Sequence, residues 1–398
     1  MATTSFSAGS LLPPVVQTPV PLLDLSREFE QIREEVMAAI ETVCSRQQFV
    51  LGPAADRFEM AAATLCHVPA AIGCASGTDA LWLAMAALNI GPGDRVITTP
   101  FSFFATVSSI LRVGASPLLA DIDERTFNLC PEATAAVLAE QELLGYKVRA
   151  VLPVHLYGQC ADMDGLGTLA DDHHCEIIED AAQAFGACWD GRPAGSLGAA
   201  AAFSFYPTKN LSAFGDAGMI TVSDAATAEH ARALRNHGMR KRYFHDEIGW
   251  NSRLDGIQAA VLEVKLRRLA AGNARRRELA ALYRERFVSA GLTADTAAEG
   301  IVLPFVDPRA EPVFHQYVIR APRRDALRAF LAARGIGSEV YYPLPLHLQD
   351  SLKFLEYEPG DFPVAERAAK EVLALPIYPE LREDEVETVV DAIRAFYA

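Results

Sequence analysis

Basic charge is in short supply in this sequence. Lys and Arg number 36 against 51 Asp and Glu, for a net charge of -15. Nucleic-acid binding needs basic patches that displace counterions, so that class of partner is excluded. Anionic membrane surfaces are excluded on the same ground. A small anionic ligand stays open, because backbone amides and a few local cations can bind one. No apolar run is long enough to span a membrane. Met1 to Pro21 is Ser/Thr/Pro-rich and lacks the basic-then-apolar order of a signal peptide, so residues 1–20 read as a flexible arm. Paired cysteines are also lacking. Cys44, Cys66, Cys74, Cys130, Cys160, Cys175 and Cys188 are odd in number and scattered, with no CxxC. That excludes a disulfide framework or zinc site and points to a reducing cytoplasm. There is no internal repeat, low-complexity run or long linker. What is present is ordinary globular composition, 51% hydrophobic and 22% charged, over 398 residues. Such a chain buries a large core and makes two domains.

Taken in order, Ser26 is placed to cap a helix whose apolar positions Phe29, Ile32, Val36, Ile40 and Val43 recur every three or four residues. Ala71–Ala75 reads as a strand running into Ser76-Gly77-Thr78-Asp79 and an apolar helix. Small residues at a helix start leave N–H groups free for a phosphate. Further strands are read at Val96–Thr99, Ser116–Ile122, Val148–Val154, Cys175–Ile178, Ala199–Phe205 and Gly218–Val222, with helical patterns between several of them. Short buried strands alternating with helices imply an α/β fold with a mainly parallel sheet covered on both faces. After about residue 265 the pattern changes to long helices with a strand at Val313–Arg320. The expectation is a large domain at 21–265 and a smaller α+β C-terminal domain at 266–398.

One stretch organises the rest. Phe203-Ser204-Phe205-Tyr206-Pro207-Thr208-Lys209 ends a buried strand in a polar turn with a single lysine. Open α/β sheets bind ligands at that edge. An amine among apolar neighbours loses charge stabilisation and becomes nucleophilic, which suggests a Schiff base between Lys209 and pyridoxal phosphate (PLP). A surface lysine is the bland alternative, and other contacts must decide. Asp180, at another strand end, is placed to hold the pyridine nitrogen protonated; a helix N-cap is its alternative. Gln183 is one turn on and can donate to the ring hydroxyl. Gly77, Thr78 and Ser204 can cradle the phosphate. Phe103 and Ala182 can sandwich the ring, although an aromatic there is more often core. His155, just after a strand, reads as structural rather than catalytic.

In sequence order these motifs resemble the DegT/DnrJ/EryC1/StrS aminotransferases. The resemblance is carried by Ser76-Gly77-Thr78-x-Ala80-Leu81, Pro100-Phe101-Ser102-Phe103, Asp121-Ile122-Asp123 and His155-Leu156-Tyr157-Gly158-Gln159. Glu179-Asp180-Ala181-Ala182-Gln183, Ser204-Phe205-x-x-x-Lys209, Asn251-Ser252-Arg253-Leu254-Asp255 and Tyr342-Pro343-Leu344-Pro345-Leu346-His347 continue it. It runs from about Val20 to the C-terminus. It implies PLP fold type I and amination of nucleotide-linked keto-sugars, with L-glutamate as donor. It assigns Lys209 as the Schiff-base lysine, Asp180 to the ring nitrogen, Gln183 to the ring hydroxyl, Gly77, Thr78 and Ser204 to the phosphate, and Phe103 to the ring face. Asn251 matches an asparagine that reaches the neighbouring subunit's phosphate, which implies a homodimer with shared sites. Arg240, Lys241, Arg242, Tyr342 and His347 fall where family members contact the nucleotide-sugar.

Two departures stand out. Phe185 replaces a histidine common in relatives and is expected to alter what the pocket accepts. Ala200 replaces a frequent aspartate. Gly249-Trp250-Asn251-Ser252-Arg253 is closer to members acting on 3-oxo sugars, dTDP- or UDP-linked, than to those acting on 4-oxo sugars. A 4-oxo sugar, a cyclitol ketone and a non-catalytic regulatory or scaffold protein are the alternatives. Related dehydratases carry histidine at the lysine position, so Lys209 argues against that chemistry.

Overall fold

The computed structural model describes residues 19–398, so residues 1–18 of the expected arm lie outside the described residues. Its end is tied down. Val20 is buried, bridges Ile336 in parallel and donates its N–H to the Gly335 carbonyl at 3.0 Å.

The elements that frame the site begin with α1 (Leu25–Arg46), β1 (Ala70–Cys74), α2 (Gly77–Ala87), β2 (Arg95–Thr98), α3 (Ala105–Arg112) and β3 (Ser116–Leu119). They continue with β4 (Ala150–Val151), β5 (Glu176–Asp180), β6 (Ala200–Ser204) and β7 (Gly218–Val222). A hairpin, β8 (Met239–Lys241) and β9 (Phe244–His245), precedes α4 (Gly256–Leu266) and α5 (Leu269–Ser289). The chain finishes with β10 (Tyr317–Arg320), β11 (Val372–Leu375) and α6 (Glu383–Tyr397).

Seven strands form one sheet in the order β1-β7-β6-β5-β4-β2-β3. The run from β6 to β3 is parallel, and β7 is antiparallel to both of its neighbours. The mainly parallel sheet therefore stands as expected. Side chains alternate across it with period two. Ile178, Ala200 and Ala202 face one apolar layer with Leu81 and Trp82 of α2. Ile177, Ala201 and Phe203 face the other, with Phe58 and Leu262. Burial on both faces is why these strands read as continuous apolar runs.

The N-terminal cap differs from expectation. Asp24, not Ser26, caps α1, its carboxylate accepting from the Ser26 N–H at 3.0 Å. A carboxylate two residues earlier meets the free N–H groups sooner and with charge. Three strands are also shorter than read: Ser116–Ile122 ends at Leu119, with Ile122 bridging Leu129 instead, and two others contract as well. Val148–Val154 contracts to Ala150–Val151, because Pro153 has no N–H for the ladder; Val154 pairs again beyond it, with Asp180. Val313–Arg320 contracts to Tyr317–Arg320, because Val313 and Gln316 donate to the carbonyls of Gly158 and Tyr157. That segment braces the wall of a cleft instead of a sheet.

Most buried apolar residues after α4 share one cluster, in which Tyr283 and Tyr317 stack at 4.7 Å beside Leu373, Leu375 and Val386, while Leu269, Ala310 and Val313 join the layer with Phe203. The cluster reaches Phe101, Val107 and Leu119, so this region packs directly on the β2–β3 side. Between the two lies a cleft at the carboxyl ends of β5 and β6, where open α/β sheets bind ligands.

Candidate active site

The cleft has a volume of about 790 Å³. One wall is the start of α2. Ser76 caps the helix, its Oγ accepting from Asp79 N–H at 3.1 Å and its carbonyl from Ala80 N–H at 2.9 Å. The helix geometry leaves Gly77 and Thr78 N–H without intrahelical partners, and both residues line the cleft. A Cβ on Gly77 would sit 2.6 Å from Ser204 Cβ. Glycine is required there so that the end of β6 can close on the helix start. The result is a compact cradle of N–H groups and the Ser204 hydroxyl, at the positive end of a helix dipole.

Asp180 ends β5 and is buried, 4% exposed. Thr106 on α3 donates its hydroxyl to Oδ2 at 2.7 Å, and Ser102 backs Thr106 at 2.8 Å. Ala182 N–H donates to Oδ1 at 3.3 Å. Burial raises the Asp180 carboxyl above the usual carboxylate range, while Thr106, Ala182 and Lys209 pull it down. Its neighbour Glu179 points the opposite way, as strand alternation requires. There it accepts from the N–H groups of Gly195, Leu197 and Gly198 and bonds His155 at 3.0 Å. His155 is fully buried in that pair and does not line the cleft, so it is structural.

Lys209 lies on the cleft floor, partly open to it but enclosed by protein. Burial pushes its amine down to about 8, opposed by the Asp180 charge. An amine so placed is available as a nucleophile near neutral pH. Gln183 accepts the Tyr157 N–H on its Oε1 at 2.6 Å, which turns its NH₂ group toward Tyr342 Oη at 3.4 Å. Its amide therefore offers a donor on the cleft side. Phe103 stands at the mouth, 60% exposed, 6.3 Å from the Tyr342 ring. Gly77, Thr78, Phe103, Asp180, Gln183, Ser204, Lys209 and Tyr342 are thus brought together in this one cleft.

Other predicted residues are not. Arg240 and Lys241 lie on β8 and Arg242 just beyond it; all three are solvent-facing, with Arg240 near Glu229, Asp246 and Glu247. Asn251 is exposed and outside the cleft of its own chain. His347 is a correction: it is 2% exposed, bonds Glu366 through Nε2 at 3.1 Å and packs on Phe362, so it cannot reach this cleft. Phe185 is another. Its ring packs edge-on against Phe203 and Phe205, at 4.9 and 5.5 Å, on the far side of the sheet. It belongs to the core and does not shape the pocket.

Sequence reading missed Thr106, His315 and Glu339, all of which line the cleft. The four-residue step from Ser102 to Thr106, one helical turn, was a usable signal for the first. The other two come from distant chain segments and had no local signal.

The residues present fit PLP. The cradle suits a phosphate, the buried carboxylate keeps acceptor capacity for a protonated ring nitrogen, and the amine is unpaired with any carboxylate at salt-bridge distance among the described residues.

A family model described as the DegT/DnrJ/EryC1/StrS aminotransferase family matches residues 30–394. The chain is 46% identical over 379 residues to a "Pleiotropic regulatory protein" of Geobacillus stearothermophilus, covering 95% of this chain and 98% of that protein. It is 43% identical over 379 residues to a dTDP-3-amino-3,4,6-trideoxy-alpha-D-glucose transaminase of Streptomyces venezuelae, covering 95% and 96%. Among solved structures, S. venezuelae DesV in complex with a ketimine intermediate superposes with a TM-score of 0.90 at 42% identity, covering 96% of this chain and 99% of that one.

Proposed function

We propose a substrate and a division of labour from one premise: this chain belongs to the DegT/DnrJ/EryC1/StrS aminotransferase family. It is a PLP-dependent sugar aminotransferase with the type I fold. We infer that it moves an amino group from L-glutamate to carbon 3 of a dTDP- or UDP-linked 3-oxo sugar. The 3-position is supported by the Trp250-Asn251-Ser252 signature and by the activity in the name of the Streptomyces relative. The single observation that carries the reading is the convergence of Lys209, Asp180 and the α2 cradle on one cleft.

When bound, PLP supplies an electron sink and carries nitrogen between two carbonyl compounds. The chain's residues supply the rest. The Gly77 and Thr78 N–H groups and Ser204 would hold the phosphate. Asp180, fixed by Thr106, would keep the ring nitrogen protonated and so favour negative charge nearby. Gln183 would donate to the ring hydroxyl. Lys209 Nζ is the movable base: it takes a proton from the donor's α-carbon and later returns one to the sugar carbon. Its amine, free at about pH 8, matches that task.

The same reading makes the chain a homodimer in which Asn251 and the Arg240–Arg242 turn complete the partner's site. Both lie exposed at the surface of the single chain. It also divides the chain at about residue 265 and places it in a reducing cytoplasm; all seven cysteines are free. Among the described residues no helix is long and apolar enough to cross a membrane.

The name of the Geobacillus relative favours a second reading, a regulatory protein that kept the fold. Such a protein has no need of the amine and the acid, yet both remain. The experiment separates all three readings. Protein loaded with PLP should lose its visible band on adding L-glutamate and regain it with nucleotide-linked 3-oxo sugars. Recovery with 4-oxo sugars alone contradicts the position. A protein that takes up no PLP supports the regulatory reading.

A further inference from the structure

His315 enters the cleft from the segment before β10 and is 8% exposed. A chain of amides fixes its tautomer. Asn273 donates Nδ2 to the Phe185 carbonyl at 3.2 Å, so its Oδ1 faces the other way. That Oδ1 accepts from Asn210 Nδ2 at 2.9 Å, and Asn210 Nδ2 also donates to the Val313 carbonyl at 2.9 Å. A carbonyl can only accept, so neither amide can be reversed. Asn210 must then present Oδ1 to His315 Nδ1, 3.2 Å away. Only a donor satisfies that oxygen, so the proton sits on Nδ1. Nε2, on the opposite side of the ring, is left as a bare acceptor. It has no hydrogen-bond partner among the described residues and is not sealed from the cleft.

Burial and the charges of Lys209 and Arg276 hold the imidazole neutral, with its pKa well below the ordinary histidine value. Arg276 is spent on the carbonyls of Phe314 and Ile377, at 3.1 and 2.8 Å. Lys209 feels Asp180 as its charged neighbour. The same cleft also carries the titratable groups Asp216, Glu339, Tyr206, Tyr341 and Tyr342. In this setting a neutral acceptor that shares the cleft with the Lys209 amine and feels its charge has a definite use.

Resting on the assignment of Lys209 above, we propose that His315 is a positioning residue. It is locked as the Nδ1–H tautomer by Asn210 and Asn273, so that Nε2 is ready to accept a hydrogen bond from the Lys209 ammonium when the freed amine turns toward it. His315 shares the proton without taking it, and Lys209 stays aimed at the reacting carbon.

The test strips the full-length chain of PLP and follows the rate of PLP capture against pH. Wild type should show a midpoint near 8, where Lys209 loses its proton. His315→Leu removes the acceptor, which destabilises the ammonium, so its midpoint should fall by about half a pH unit or more. His315→Gln, which keeps an acceptor oxygen, should restore most of the shift. An unmoved midpoint in folded His315→Leu overturns the inference and leaves the function intact. Absence of any capture by wild type overturns both. Should His315→Leu fail to fold, ring ¹⁵N shifts of wild type decide: the inference requires Nδ1–H and bare Nε2 at pH 7, and Nε2–H or an imidazolium overturns it.

Discussion

A single carboxylate decides how much chemistry this cleft can do. Asp180 is held by Thr106 and the Ala182 amide in one orientation, with capacity left for a ring nitrogen. Asp180→Asn keeps the shape and removes the charge. Turnover should fall roughly 10²–10³-fold, the usual cost of losing one preorganised electrostatic partner, with a smaller loss of PLP affinity. Steady-state kinetics beside PLP titration measures both, and an unchanged rate would mean another residue holds the ring nitrogen. The placing of Lys209 and Asp180 in one cleft was legible in the sequence because Asp180 ends β5 and Lys209 lies in the turn that follows β6, and the carboxyl ends of neighbouring parallel strands share a rim. His347 and Phe185 misled because motif position says nothing about which way a side chain turns. His347 turns to Glu366, and Phe185 turns to two phenylalanines below the sheet. Thr106 meets Asp180 across 74 residues and left only its one-turn step from Ser102 as a trace, whereas His315 meets Asn210 across 105 with no local pattern at all.

At the scale of elements, the start of α2 and the end of β6 act as one phosphate cradle. Gly77→Ala would place a methyl 2.6 Å from Ser204 Cβ and force the two apart. PLP affinity should drop roughly tenfold or more, about 1.4 kcal/mol. Affinity for pyridoxal, which lacks the phosphate, should hardly change. Equal loss for both ligands would mean the cradle does not bind phosphate. The opposite face of the sheet gives a second contrast. Phe185→Ala should destabilise the fold by about 3–5 kcal/mol, as large-to-small core changes do. Urea unfolding reads that loss, while KM for the sugar stays unchanged. A shifted KM with intact stability would return Phe185 to the pocket. The sheet was readable because its strands are short, apolar and regularly spaced. The shortened β4 and β10 were not, because Pro153 and the carbonyls of Tyr157 and Gly158 redirect hydrogen bonds that the side chains alone do not reveal.

For the whole molecule, the proposal is a pair of chains that complete each other. Lys209 belongs to a chain's own cleft, whereas Asn251 faces outward. Lys209→Ala and Asn251→Ala homodimers should each be impaired, the first fully. Mixed dimers should recover activity, because one of their two sites then has both residues intact. No recovery in verified mixed dimers would place Asn251 in its own chain's function or in none. The seams between chains were legible only through the family resemblance, since one chain does not display its partner.

On the proposed function, Lys209, set against Asp180 at the rim of the sheet, is the residue that holds PLP. Borohydride reduction of the loaded protein, followed by digestion and peptide mass spectrometry, tests that assignment most directly. One pyridoxyl label per chain is expected, on Lys209, and none in Lys209→Ala. A label on any other lysine, or no label at all, would contradict it.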